Sequence, residues 1–430
     1  MVVAVLHVYV LFVVCVMVIY AARHWFFTFN RLNMRQRPYY QDLYGDDLPS
    51  ISVLVPMHNE STVAATVLDA LLATDYPRDR LEIIPIDDHS EDDTAEIIAR
   101  YHQRYPFIRP ITISSEKRGK PNALNEALRI ASHDIILVFD ADYLPGRDLL
   151  RELSVAFVDP EVGAVMGRVV PRNTGKNLLT RLLSLERSGG YQVDQQARYN
   201  LDLFPQYGGT VGGFRRSVVE QLGGFDANTL AEDTDLTARL YLAGWKVAYA
   251  NRAECYEEVP ETWSARFRQL RRWSRGHNRV MFRSLIPILK SPRLNVYQKA
   301  DGILLLGVYI IPLLLLSGFA ANTLLFFMGA MALWSALLIA FFVVIYNAVG
   351  NFAPIYEIGA AELLDGSHER MFLLPYLFYL FLFNSWSVTS GLFDTVGDLI
   401  KSRSPHWDKT ERIGTVEPEP ELGVETNVPA

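Results

Sequence analysis

The sequence predicts an α/β fold, a mostly parallel, doubly wound sheet joined at both ends to apolar helices long enough to cross a bilayer. Three observations predict it. Hydrophobic residues make up 50% of the 430 residues, but they crowd at the N-terminus and again after Asp301. Between those blocks, short β-branched runs alternate with stretches of helical period, the order that builds parallel sheets. Several of those runs are followed at once by carboxylates, Glu60, Asp88, Asp140 and Asp142. Ligands bind outside the carboxyl ends of the strands in such sheets, so these acids are expected to converge on one crevice.

The N-terminal block comes first. Residues 2–22 carry no charged side chain with His7 neutral, and roughly 20 apolar residues suffice to span a bilayer. A secretory signal would place basic residues before the apolar run. Here they follow it, as Arg23, Arg31, Arg35 and Arg37. Residues 1–24 are therefore expected to be a transmembrane helix whose downstream side is cytoplasmic. That makes the chain an integral protein of the inner or plasma membrane, in contact with lipid bilayer.

Residues 49–260 form the expected cytosolic α/β domain. Residues 51–56 have the composition of a buried strand, and residues 60–74 have helical period. Residues 81–86 read as a second strand ending in Asp87 and Asp88. Ser90 is placed to cap the next helix, with Asp93 three residues on. Ile111 marks a third strand, residues 120–130 a helix, and residues 134–139 a fourth strand running into Asp140-Ala141-Asp142. Ala231-Glu-Asp-Thr-Asp235 opens a helical stretch over residues 236–243. Residues 261–300 are expected as amphipathic interfacial helices, rich in arginine and holding Trp263 and Trp273.

Residues 301–395 are read as transmembrane helices, with spans at 302–319, 324–346 and 371–392. The segment 347–364 carries Glu357 and Glu362, which a lipid-facing helix disfavours. It reads as re-entrant or interfacial, with a fourth span as the alternative. Lys401, Arg403, Lys409 and Arg412 favour a cytoplasmic C-terminus, whereas three C-terminal spans would put it outside. Residues 413–430 are rich in Pro, Glu and Val and read as a disordered tail.

Composition excludes some function classes. The net charge is -7, so no nucleic-acid partner is expected. Cys15 and Cys255 are too few for a disulfide framework or a cysteine zinc site.

The motifs carry chemistry to different degrees. A bare Asp-x-Asp is ordinarily a solvated turn. Here it follows a strand, and clustered carboxylates are stabilised by a divalent cation, with Mg2+ typically bridging one or two carboxylates to a substrate's phosphates. Acids at the start of a helix, such as Glu232 and Asp233, need no function to explain them. Gln269, Arg272 and Trp273 are spaced i, i+3, i+4 and share one helix face. An amphipathic helix on anionic lipid has the same composition, and both readings hold together.

These motifs occur in a fixed order from about Ser52 to Trp273: Val55-Pro-Met-His-Asn-Glu60, Asp87-Asp88, Gly119-Lys120, Asp140-Ala-Asp142, Gly209-Thr-Val-Gly-Gly-Phe-Arg215, Glu232-Asp233 and Gln269-x-x-Arg272-Trp273. In that order they resemble the family-2 glycosyltransferases with a GT-A (Rossmann-like) fold, in the membrane-embedded branch of cellulose, hyaluronan and poly-N-acetylglucosamine synthases. The resemblance implies that Glu60 and Asp88 contact uridine and that Lys120 lies near the nucleotide or its phosphates. It implies that Asp140 and Asp142 serve the ribose, the diphosphate and a metal, Mg2+ or Mn2+, with Asp142 the better ligand. It makes Asp233, beside Glu232, the general base on the acceptor hydroxyl. Gln269, Arg272 and Trp273 would hold the diphosphate and acceptor sugar, while Gly212 and Gly213 would let the acceptor approach the backbone. The family's Thr-Glu-Asp is Ala231-Glu-Asp here, a departure that bears on the acceptor site. Trp407 to Arg412 is similar over a short match to the gating segment of processive synthases, within residues 396–412, although a basic juxtamembrane flank is the reading that its composition favours.

The implied activity is inverting transfer from a UDP-sugar to a growing glycan. The leading expectation is a processive synthase that threads a β-linked polysaccharide through its own helices, with an accessory or translocation subunit as a further partner. Transfer of one sugar to a lipid acceptor, of ceramide or diacylglycerol type, is the alternative. A transporter or membrane receptor with a nucleotide-sensing domain is a third class, marked by binding without turnover.

Overall fold

The computed structural model describes residues 1–44, 48–330 and 352–401. The chain opens with α1 (Val2–Asn33), whose 32 residues make a rod of about 48 Å. It continues past the expected boundary at residue 24, with Arg31 in its last turn. A short helix, α2 (Tyr40–Tyr44), follows.

Among the described residues the sheet has eight strands. In chain order they are β1 (Ile51–Met57), β2 (Leu81–Asp87), β3 (Ile111–Thr112), β4 (Ile135–Val138), β5 (Leu144–Pro145), β6 (Val162–Pro171), β7 (Gly212–Arg215) and β8 (Lys246–Glu257). Their spatial order is β3-β2-β1-β4-β7-β6-β8-β5. The β3-β2-β1-β4 block and the β6-β8 pair are parallel. β7 runs against both of its neighbours, and β5 runs against β8. The mostly parallel sheet is thus mixed in its second half, beyond the four strands legible in the sequence. Every residue of β2 is buried, as befits a strand covered on both faces.

The helices between the strands refine the expected boundaries. α3 (Ala64–Leu72) starts later than residue 60, because Glu60 to Val63 form a turn in which Glu60 O accepts from the amides of Val63 and Ala64. Its Val67, Leu68 and Leu71 are fully buried, each contributing about 1.5–3 kcal/mol. α4 (Thr94–Arg104) is not capped by Ser90. Asp92 Oδ1 accepts the Thr94 amide at 3.1 Å, and Ser90 Oγ accepts the Asn59 amide at 3.0 Å instead. α5 (Lys120–Ile130) has its expected bounds. α6 (Leu149–Ser154) and α7 (Leu178–Ser188) flank β6. A π-helix, Gly189–Gln195, then joins α7 to α8 (Gln196–Asn200).

After β7 come α9 (Arg216–Gln221) and α10 (Glu232–Ala243), the latter closed by Gly244 in the left-handed conformation at φ +92°. α11 (Trp263–Lys290) is capped by Thr262, whose Oγ1 accepts the Ala265 amide. α12 (Val296–Gly307) is interrupted by a 3-10 turn, Val308–Ile310, before α13 (Ile311–Phe327). α14 (Phe352–Leu364), a 3-10 segment His368–Tyr376 and α15 (Leu377–Lys401) complete the described chain.

Among the described residues three helical stretches are long and apolar enough to cross a membrane: Val2–Asn33, Val296–Phe327 and His368–Lys401. The expected span at 302–319 lies inside the second. The expected span at 324–346 does not begin at 324, since Leu324 still belongs to α13, and most of it lies outside the described residues. So do the proposed gating motif and the tail. α14 buries both of its carboxylates, and Glu357 bonds His24 of α1 at 2.5 Å.

The apolar helices are tied to the sheet domain by specific contacts. Tyr9 and Ser317 share a hydrogen bond of 2.5 Å between α1 and α13, and Tyr20 Oη donates to Leu304 O. Arg23 of α1 pairs with Asp194 of the π-helix. Arg198 of α8 bonds Asp194 at 3.0 Å and Asp301 of α12 at 3.1 Å. α15 docks on α11 where Gly391 lies against the Arg271 carbonyl. Arg271–Asp394 and Arg275–Asp398 pairs flank that contact.

Candidate active site

The carboxyl ends of β1, β2 and β4 open on one cavity of about 1710 Å³. Glu60, Asp88, Lys120, Asp140, Asp142, Glu232, Asp233, Gln269, Arg272 and Trp273 all line it. Gly212 and Gly213 do not. They are the first two residues of β7 and are buried, and a Cβ there would meet the carbonyl oxygens of Val165 and Ile136 at 2.4 and 2.3 Å. Their bareness serves sheet packing, which corrects the expectation that they face the acceptor. The glycine beside the acids is Gly209, at φ +74°, where a Cβ would meet Asp233 Cβ at 3.1 Å.

Local structure explains each position. Asp88 follows β2, and its Oδ2 accepts the Gly119 amide at 2.7 Å while Oδ1 bonds the His89 ring. That contact ties the β2 end to the start of α5, whose first residue is Lys120. Lys120 Nζ donates to Asp140 Oδ1 at 2.6 Å and lies 3.6 Å from Glu232 Oε1. Burial opposes charge on Lys120, but Asp140 and Glu232 prevail and hold the ammonium above its usual pKa. The Asp140 amide donates to Thr210 Oγ1, fixing the β4 end against the Gly209-Thr210 loop.

Glu232 and Asp233 open α10 at the cavity wall. Burial raises the pKa of both carboxyls, despite Lys120 nearby and despite the Thr234 amide that donates to Asp233 Oδ1 at 2.6 Å. The third acid of this run has a different task. Asp235 is 1% exposed and pairs with Arg239 and Arg283, away from the cavity. Ala231, where the resemblance leads one to expect threonine, lies against Gly276 of α11; a Cβ on Gly276 would be 3.0 Å from that of Ala231. The small pair lets α11 approach the acids closely.

Among the described residues no three His, Cys, Asp or Glu side chains form a metal-holding group. Asp140 and Asp142 nonetheless stand together at the β4 end with the open cavity before them. Two carboxylates completed by phosphate oxygens are an ordinary donor set for magnesium, so the residues present fit a cation shared with a diphosphate.

Several cavity residues escaped the sequence reading: Tyr143, Glu186, Arg187, Glu257, Arg266 and His277. Burial lowers the His277 pKa to about 4, so the ring is neutral at pH 7. For Glu257 a signal existed, because β8 ends in Glu257 and Glu258 just as β2 ends in Asp87 and Asp88. Arg187 and Arg266 carried none. From the acids the cavity runs on between the apolar helices, past Tyr20 of α1, Tyr309 and Leu315 near the break in the second, and Ser385 of α15.

Residues 49–276 match the model of the glycosyltransferase like family 2. The probable glycosyltransferase YdaM of Bacillus subtilis (strain 168) is 30% identical over 383 residues, covering 85% of this chain and 87% of its own. A poly-beta-1,6-N-acetyl-D-glucosamine synthase of Staphylococcus aureus (strain COL) is 30% identical over 288 residues, 66% of this chain and 68% of its own. Among solved structures, the mannosyltransferase PcManGT from Pyrobaculum calidifontis, in complex with GDP-Man and Mn2+, shares the fold. It has a TM-score of 0.55 and 24% identity, covering 84% of this chain and 98% of that one.

Proposed function

Since the chain belongs to glycosyltransferase family 2, we propose that it moves a hexose from a UDP-sugar onto an acceptor hydroxyl with inversion, extending a β-linked glycan that passes between its own helices. The observation that carries this reading is the single cavity that joins Asp88 and Asp140 to Asp233 and Trp273 and then continues along Tyr20, Tyr309 and Ser385. The polymer-forming name of the staphylococcal relative supports it as well.

In this reading Glu60 and Asp88 receive the uridine. Lys120 and Arg272 stabilise the charge that develops on the departing diphosphate. A divalent cation held by Asp140 and Asp142, magnesium or manganese, would supply further neutralisation of that leaving group. The Mn2+ in the mannosyltransferase complex supports a cation of this kind. Asp233 takes the proton from the acceptor hydroxyl, and its raised pKa brings the carboxylate closer to working pH. Glu232 shares the wall and keeps Lys120 in place. Gln269 and Trp273 hold the acceptor sugar. Direct displacement needs no protein nucleophile.

The protein is read as integral to the inner or plasma membrane, with the sheet domain cytoplasmic, on the three apolar helical stretches and on Arg23, Arg31, Arg35 and Arg37 after the first. An accessory subunit for translocation is compatible with this topology.

One observation favours a second reading. The inner arm of the cavity carries Met17, Leu305, Ile311, Pro312 and Leu315, a wall suited to the acyl chain of a glycolipid acceptor. Membranes holding the protein are to be incubated with labelled UDP-glucose and UDP-N-acetylglucosamine and the product sized. A ladder of lengths is expected. A single glycolipid band would move the assignment to lipid glycosylation.

A further inference from the structure

Trp273 is braced from two sides in sequence. The Arg187 guanidinium carbon lies 5.3 Å from the indole centroid, over the ring, and that of Arg266 lies 5.8 Å from it. A cation so placed is drawn to the face of an indole. Each guanidinium is anchored in turn by a carboxylate. Arg187 Nε donates to Glu257 Oε1 at 2.7 Å, and Tyr143 Oη donates to Glu257 Oε2 at 2.7 Å. Arg266 Nη2 donates to Glu186 Oε2 at 2.5 Å, and its Nη1 donates to Gln269 Oε1 at 2.9 Å.

Glu257 is only 4% exposed. A buried carboxylate needs a countercharge, so Arg187 cannot swing away from the ring without leaving Glu257 only the neutral Tyr143 hydroxyl as donor. The four elements involved are the loop after β4, α7, the end of β8 and α11. Tyr143 directly follows Asp142. Glu257 therefore links the loop on the diphosphate side to the indole on the acceptor side through one fixed side chain.

We propose that Arg187, held by Glu257, is a positioning residue that sets the plane of Trp273 as the platform for the acceptor sugar. It acts on the ring and does not touch the reacting atoms. This inference rests on the glycosyl-transfer reading of the cavity, and specifically on Trp273 meeting the acceptor.

The test uses the full-length protein in lipid nanodiscs. Nucleotide release is read from UDP-N-acetylglucosamine, UDP-glucose and GDP-mannose against β-linked disaccharides of N-acetylglucosamine and glucose. Arg187→Gln is combined with Glu257→Gln, so that no buried charge is left unpaired. The expected result is an acceptor KM raised about tenfold or more, with UDP affinity by equilibrium dialysis within about twofold of wild type. In a Trp273→Ala background the same pair of changes should add less than about twofold, because the platform is already gone. Arg187→Lys, which keeps the charge for Glu257 but loses the planar face, should raise the acceptor KM while UDP affinity stays as in wild type. An unchanged acceptor KM overturns the proposal, and so does an undiminished further loss in the Trp273→Ala background. Wild-type protein that releases no nucleotide from any donor overturns the transfer reading itself, a distinct failure.

Discussion

Asp233 is a carboxylate that the fold makes harder to ionise. Burial in the cavity wall raises its pKa, and Lys120 and the Thr234 amide only partly offset this. As the proposed base it works only when ionised, so the rate should fall with falling pH through a value above the ordinary aspartate pKa of about 3.9. Asp233→Asn should lower kcat by about 10²–10⁴-fold and leave UDP binding nearly intact; turnover at the wild-type rate would remove Asp233 from the role. The stability effect has the opposite sign. A raised pKa means that the folded state loses stability as pH climbs from the unfolded value through the folded one. The asparagine variant should therefore melt higher at neutral pH, a difference calorimetry can read. At this scale the strand-end placing of Asp88 and Asp140 was legible, whereas Glu257, at the end of β8, was passed over. It misled at Gly212 and Gly213, because a glycine demanded by Val165 O and Ile136 O looks no different from one demanded by a ligand.

Among elements, α11 does most to assemble the site. Gln269 and Trp273 project from it into the cavity, Gly276 packs on Ala231 at the start of α10, and its outer side receives α15. That docking depends on Gly391, where a Cβ would stand 2.4 Å from the Arg271 carbonyl oxygen. Backbone cannot yield as a side-chain tip can, so Gly391→Val should force the helices apart and cost about 1–3 kcal/mol. A melting temperature equal to wild type would show that the contact is not needed. α5 was legible to the residue, since Gly119 and Pro121 bracket its start. α4 was misread at its cap, because Ser90 is occupied by the Asn59 amide from a loop distant in sequence. The antiparallel β7 carried no local signal, for four residues including two glycines do not advertise their direction.

For the whole molecule, the site exists only where three regions of the chain meet: the strand ends, α11 and the apolar helices. Chelation should stop transfer, and added magnesium or manganese should restore it; full activity in excess chelator would refute a cation at Asp140 and Asp142. The overall plan of a sheet domain set between apolar helices was readable from hydropathy, but the joints between them were not. Arg23, Asp194, Arg198 and Asp301 form one ionic cluster, in which Arg198 and Asp301 are buried and the other two half-buried. Two of its four members, Arg23 and Asp301, fall outside the residues matched by the family model. A fragment trimmed to those limits would keep the Asp194–Arg198 pair but strip Arg23 from Asp194 and Asp301 from Arg198. Each of the two then keeps one partner and loses another, and a hydrogen bond to a charged group is worth about 1.5–3 kcal/mol, a noticeable share of the 5–15 kcal/mol that holds a typical fold together. The stretch that the family model matches is therefore not complete in its charges, and a version cut at those limits calls for counterions of its own where the first and second apolar helices now supply them.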